Sequence, residues 1–60
     1  MTKTRIEKLT SEELDIILDA FHAPYFMKAN IEAGGEWVIA NFNMTIKMRD
    51  GEFIAIIEEA

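Results

Sequence analysis

The sequence holds no cysteine, one histidine, one proline and one tryptophan among its 60 residues. The missing cysteine excludes disulfides and thiolate metal sites. With His22 as the lone imidazole, a histidine-based metal centre is not expected either. A domain of this size buries only about 60% of the surface its unfolded chain exposes. Natural domains this small lean on disulfides, a metal or a partner subunit. What remains is a well-filled core, an oligomer, or both. Long apolar runs are also missing. The longest, from Phe53 to Ile57, falls far short of the roughly 20 residues that cross a bilayer. The opening "MTKTRIEKL" has no apolar stretch of the kind a secretory signal carries. The expectation is a cytoplasmic protein without membrane attachment.

Cations are scarce: 6 Lys and Arg stand against 11 Asp and Glu, a formal net charge of −5. Lys3, Arg5 and Lys8 make the first nine residues basic, whereas residues 10–36 hold six acids against Lys28 alone. Binding a nucleic-acid backbone takes clustered cations that displace counterions. No such cluster exists, so direct binding of DNA or RNA is not expected. Half of the residues are hydrophobic, which is too many for a disordered chain. No repeat, linker or low-complexity segment interrupts the chain, which reads as a single domain over 1–60.

"KLTSEELDIILDAFH" reads as a helix start. Thr10 and Glu13 have capping-box spacing, in which each side chain satisfies the other's orphan backbone N–H. Acids in the first turn suit the positive end of the helix dipole. Leu14, Ile17, Leu18 and Phe21 form one apolar stripe at i, i+3, i+4, i+7. These signals predict a first helix over 11–22. Pro24 suits the first turn of another helix, and "PYFMKANIEAGG" ends in a glycine pair that can cap it. The second helix is expected over 24–33, with Phe26, Ala29 and Ala33 inward, Met27 and Ile31 widening that face, and Lys28 and Glu32 wet.

From Trp37 the period changes to two. Val38, Ala40, Phe42, Met44, Ile46 and Met48 alternate with polar Asn41, Asn43, Thr45, Lys47 and Arg49, the pattern of a half-buried strand. Asp50-Gly51 is a two-residue hairpin turn, because both positions tolerate positive φ. Residues 52–58 return as the second arm. Residues 4–9 fit either a short strand or irregular chain, since Ile6 and Leu9 fall on opposite faces. The fold class expected is α+β, in the order (β)ααββ. Two short helices pack on one face of a small antiparallel sheet built on the C-terminal hairpin.

The turn sets a register: Arg49 opposite Glu52, Met48 opposite Phe53, Ile46 opposite Ala55, Met44 opposite Ile57. The second arm then places Ile54 and Ile56 on the other face, beside Lys47 and Thr45. A one-residue slip would invert every side chain. Two neighbouring isoleucines on one face make a patch, and self-association through the hairpin is the simplest way to cover it. On the first helix Ile16 falls away from the apolar stripe, among Glu12, Asp15 and Asp19. Isolated surface isoleucines are ordinary, but one ringed by carboxylates also fits an interface anchor with a polar rim.

No catalytic constellation emerges, and neither does a cofactor site. The helix-1 carboxylates lie on a solvated face, and catalytic acids need burial or a close partner to shift their pKa. His22 reads as a boundary residue at a helix C-terminus, and Ser11 has no histidine at a useful spacing. Gly34-Gly35 stops a helix, whereas a phosphate loop opens one. The order of elements, with "RIEKLTSEEL", two helices and a hairpin on a DG turn, resembles the opening half of acetyl-CoA-dependent N-acetyltransferases. The resemblance covers order alone. That family's glycine-rich, pyrophosphate-gripping turn has no counterpart here, so neither cofactor nor activity is implied.

The expectation is therefore a small acidic, non-enzymatic interaction module, an inhibitor or regulator that binds a basic surface of a larger protein. Such surfaces are common on nucleic-acid enzymes, and complementary charge speeds encounter and sets orientation. Small phage-encoded inhibitors share this character. The alternative is an assembly subunit that self-associates through its hairpin. The candidate interaction residues are Glu12, Asp15, Ile16, Asp19, Ile54 and Ile56, in a homo-oligomer.

Overall fold

The computed structural model describes residues 3–59. Along the chain run β1 (Lys3–Leu9), α1 (Ser11–Ala20), α2 (Met27–Glu32), β2 (Glu36–Ile39), a 3-10 turn (Ala40–Phe42), β3 (Met44–Arg49) and β4 (Glu52–Glu59). The strands form one antiparallel sheet in the order β1-β4-β3-β2. Leu14 of α1 and Ile31 of α2 share a core with Ile39, Ile46, Phe53 and Ala55, so both helices cover the same sheet face. The α+β class stands, but the order is βααβββ rather than (β)ααββ.

Thr10 caps α1 as its spacing requires. Its Oγ1 accepts the Glu13 N–H at 3.1 Å, and Glu13 Oε1 accepts the Thr10 N–H at 2.9 Å. The helix stops at Ala20, two residues early, because His22 turns to φ 53°. The His22 N–H then reaches the Asp19 carbonyl at 3.1 Å and the Ala23 N–H reaches Leu18 at 2.9 Å. This is the paired closure in which glycine is usual, so His22 occupies a left-handed position that Gly would accept with less strain.

α2 is shorter than its sequence suggested, and its buried face is rotated. Ile31 is fully buried and Met27 packs against the core, while Phe26, Ala29 and Ala33 are exposed. A six-residue helix can press only about one turn against the sheet. The i, i+4 pair Met27/Ile31 offers that turn far more apolar area than two alanines. The Gly34 N–H bonds Ile31 at 3.1 Å and the Gly35 N–H bonds Asn30 at 2.8 Å, with Gly34 at φ +102°. A Cβ on Gly35 would lie 2.8 Å from the Asn30 carbonyl oxygen. Gly35→Ala should therefore destabilise the fold by about 1–3 kcal/mol through overpacking, read from the urea midpoint. A change within about 0.5 kcal/mol, the range of neutral surface substitutions, would mean that this contact yields freely.

The largest departure lies in residues 37–49, which the alternation joined into one strand. They fold back instead: β2 pairs with β3, Ile39 opposite Met44, Val38 opposite Thr45 and Trp37 opposite Ile46. A single strand of that length would span about 43 Å at the usual rise, longer than the molecule's 35 Å axis. The reversal runs through the 3-10 turn and Asn43, whose φ of 50° and ψ of 43° are left-handed, a conformation asparagine tolerates. The fold-back inverts parity. Trp37 and Ile39 face the helices, whereas Val38 faces away and Phe42 sits in the turn. Val38, Ala40 and Phe42 are exposed rather than aligned with Met44, Ile46 and Met48.

The Asp50-Gly51 reversal forms with φ of 53° and 79°. It produces the register Arg49–Glu52, Met48–Phe53, Ile46–Ala55 and Met44–Ile57. β1 resolves the question over residues 4–9. It is a strand paired along the length of β4, from Lys3–Glu59 to Leu9–Phe53. Its alternation is weak because only Leu9 of its helix-side residues packs against the core. Ion pairs take the place of apolar contacts: Arg5–Glu59 at 3.3 Å and Lys8–Glu52 at 3.3 Å tie β1 to β4. Charged side chains on an edge strand also discourage unwanted pairing. β4 therefore lies inside the sheet with a strand on each side, which is why it reads as an unbroken apolar run.

Candidate interaction surfaces

On the helix-free face the register composes rows that cross all four strands. One row reads Ile6, Ile56, Thr45, Val38, and the next reads Lys8, Ile54, Lys47, Glu36. Arg49 and Glu52 follow toward the hairpin turn, and Thr4 and Glu58 lie at the other end. An antiparallel sheet with one wet face normally alternates polar outward. The Ile6–Val38 row breaks that rule on three of the four strands, with Thr45 of β3 the polar member. Ile6 is 48% and Val38 63% exposed, and Ile56 is half-buried. Ile54 differs from them at 3% exposed. Lys8 and Lys47 stand directly beside it on neighbouring strands; the Lys47 side chain, 36% exposed, can lay its aliphatic stem over it, whereas that of Lys8 stands largely in solvent. Two shallow depressions of about 270 Å³ each flank the row. One is lined by Val38, Thr45, Ile56 and Glu58, the other by Ile6, Lys8, Arg49 and Ile54.

The opposite side of the molecule is acidic. Glu12, Asp15, Ile16 and Asp19 recur at helical spacing on the outer side of α1, all exposed, with Ile16 at 69%. Asp15 has a partner: Lys28 Nζ lies 2.8 Å from its Oδ1. That lysine, expected on the wet side of α2, is half-buried. It also donates to Ser11 Oγ and stands 6.0 Å over the Phe53 ring, so it clamps the two helices to each other and to the sheet. No spacing in the sequence links Lys28 to Asp15, thirteen residues away. Among the described residues, no cation lies within ion-pair distance of Glu12 or Asp19. The two groups of candidates thus sit on opposite faces: the α1 stripe outside the helices, and Ile54 and Ile56 on the helix-free sheet face.

A third surface was not anticipated. Phe21 meets Trp37 edge-to-face at 6.0 Å and Phe42 at 5.3 Å, and Phe21 and Phe42 are both exposed. Sequence periodicity had set Phe21 and Phe42 inward. They converge at the β2 edge because the 40–43 reversal brings Phe42 back toward the end of α1. No buried polar or charged side chain occurs among the described residues, and no His, Asp and Glu cluster there has metal-binding geometry. Nor is any described helix long and apolar enough to cross a membrane. In comparisons with protein-family models, curated proteins and solved structures, the chain matches none of them.

Proposed function

We propose that this chain is a cytoplasmic, non-enzymatic interaction module that inhibits or regulates a larger protein by occupying a basic surface on it. The observation that carries the reading is where the charge lies. The helical layer bears Glu12, Glu13, Asp15, Asp19 and Glu32 against Lys28 alone, whereas the helix-free sheet face balances three cations with three carboxylates. Most of the molecule's net charge therefore leaves from one side. Ile16, exposed within the acidic stripe, supplies an apolar anchor inside a charged rim. A nucleic-acid-binding enzyme is a fitting partner class, because its substrate channel is basic.

The test compares capture by the native chain with capture by Glu12→Lys/Asp19→Lys, two substitutions at exposed positions without ion-pair partners among the described residues. Raising ionic strength from about 0.1 M to about 1 M, where the screening length falls from about 10 to about 3 Å, should release the partner. The double reversal should weaken capture more than tenfold, since each reversal also places like charges in opposition. A partner retained equally by both forms would remove the acidic stripe from the reading.

A further inference from the structure

We propose that the helix-free sheet face is a homodimer interface, covered by the same face of a second copy across a two-fold axis that runs parallel to the strands between β4 and β3. This goes beyond the acidic-stripe reading and does not depend on it.

Charge selects the occupant. At a net charge of −5 two copies repel one another through most approaches. On this face, however, Lys8, Lys47 and Arg49 balance Glu36, Glu52 and Glu58. A basic partner has no excess of acid to attract it there, and an acidic partner has no excess of cation. A second copy does find a match. The two-fold lays β1 over β2 of the other copy and β4 over its β3. Lys8, which pairs with Glu52 of its own chain, then also faces Glu36 of the other copy; Arg49 faces Glu52, Ile6 faces Val38, and Lys47 lies over Ile54.

The result is a sandwich of two aligned antiparallel sheets with both helical layers outward, an arrangement sheets adopt at about −30°. Four strands about 4.8 Å apart make a face roughly 19 Å wide and about 20 Å long. That is on the order of 400 Å² from each copy, about half the usual contribution to a specific interface, so association belongs to the weak, reversible class.

Sedimentation equilibrium of the full chain, from about 10 µM to about 1 mM to suit a weak interface, should show the mass rising from 6.9 kDa toward twice that value. Ile6→Lys, on the exposed part of an edge strand, should stay monomeric with unchanged far-UV circular dichroism. Val38→Lys, on the other edge strand, should do the same and stands in if the first variant fails to fold. Lys8→Glu and Glu36→Lys should each weaken self-association at least tenfold, and an equimolar mixture of the two should restore it, because both cross-copy pairs regain opposite signs. A native chain monomeric at the highest concentration would overturn the proposal. So would a dimer that survives both Ile6→Lys and Val38→Lys, or a mixture that associates no better than either charge variant alone.

Discussion

Ile46→Ala should remove a large share of the fold's stability. Ile46 is fully buried at the centre of β3, between Trp37 on β2 and Ala55 on β4. Together with Leu14 and Ile31, also fully buried, it forms the contact between helices and sheet. Truncation removes its transfer free energy and leaves a cavity, for a combined loss of about 2–5 kcal/mol. Its partner across β4 is an alanine, which cannot swing in to fill the space, so the upper half of that range applies. Against this, 60 residues at the usual 0.05–0.15 kcal/mol each amount to a total stability of about 3–9 kcal/mol. One side chain therefore carries a large share of the fold. Thermal and urea unfolding by circular dichroism measure the loss. A fall of less than about 1 kcal/mol, well under the range for a buried aliphatic truncation, would mean the core closes around the missing methyls and that Ile46 is not central to it.

The second large effect concerns Ile54, which sequence reasoning placed with Ile56 as an outward contact. At 3% exposed it behaves as core, although it lies on the face without helices. Ile54→Ala should cost about 2–3 kcal/mol, toward the low end of buried truncations, since the Lys47 stem can partly collapse into the gap. Ile6→Ala on the same face should stay within about 0.5 kcal/mol, as surface substitutions do. Urea midpoints of the two variants side by side decide the matter. Equal, small losses would show that the Lys47 stem does not shield Ile54 and that it is an ordinary surface residue. The contrast also guides mutagenesis. Ile54 variants confuse folding with binding, whereas Ile6 and Val38 variants test the surface alone.

Several local signals in this chain fix its structure. Thr10 and Glu13 are three residues apart, and their reciprocal bonds form wherever a helix starts there. Gly34-Gly35 ends α2 as its spacing promised, and Asp50-Gly51 sets the β3–β4 register, because two residues of positive φ admit few pairings. The Asn41–Asn43 turn was the signal that alternation masked. Apolar residues continue at every second position through it, and the inversion of parity shows only when the strand is seen to be too long for the molecule. Phe21, Phe26 and Phe42 read as core because hydrophobicity does not say which of several apolar faces the rest of the chain will cover.

By itself the sequence determined the Thr10 capping box, the glycine stop of α2, the hairpin reversal, the α+β class and the lopsided charge, since each arises within a few residues of chain or from composition. Only the tertiary structure decided that β1 lies beside β4, that Ile54 is sheltered while Ile6 and Val38 are not, and that Lys28 bridges two helices to the sheet. Those outcomes join residues some 13 to 56 positions apart. Closing such loops costs entropy that no local pattern records, and only the completed sheet and core repay it.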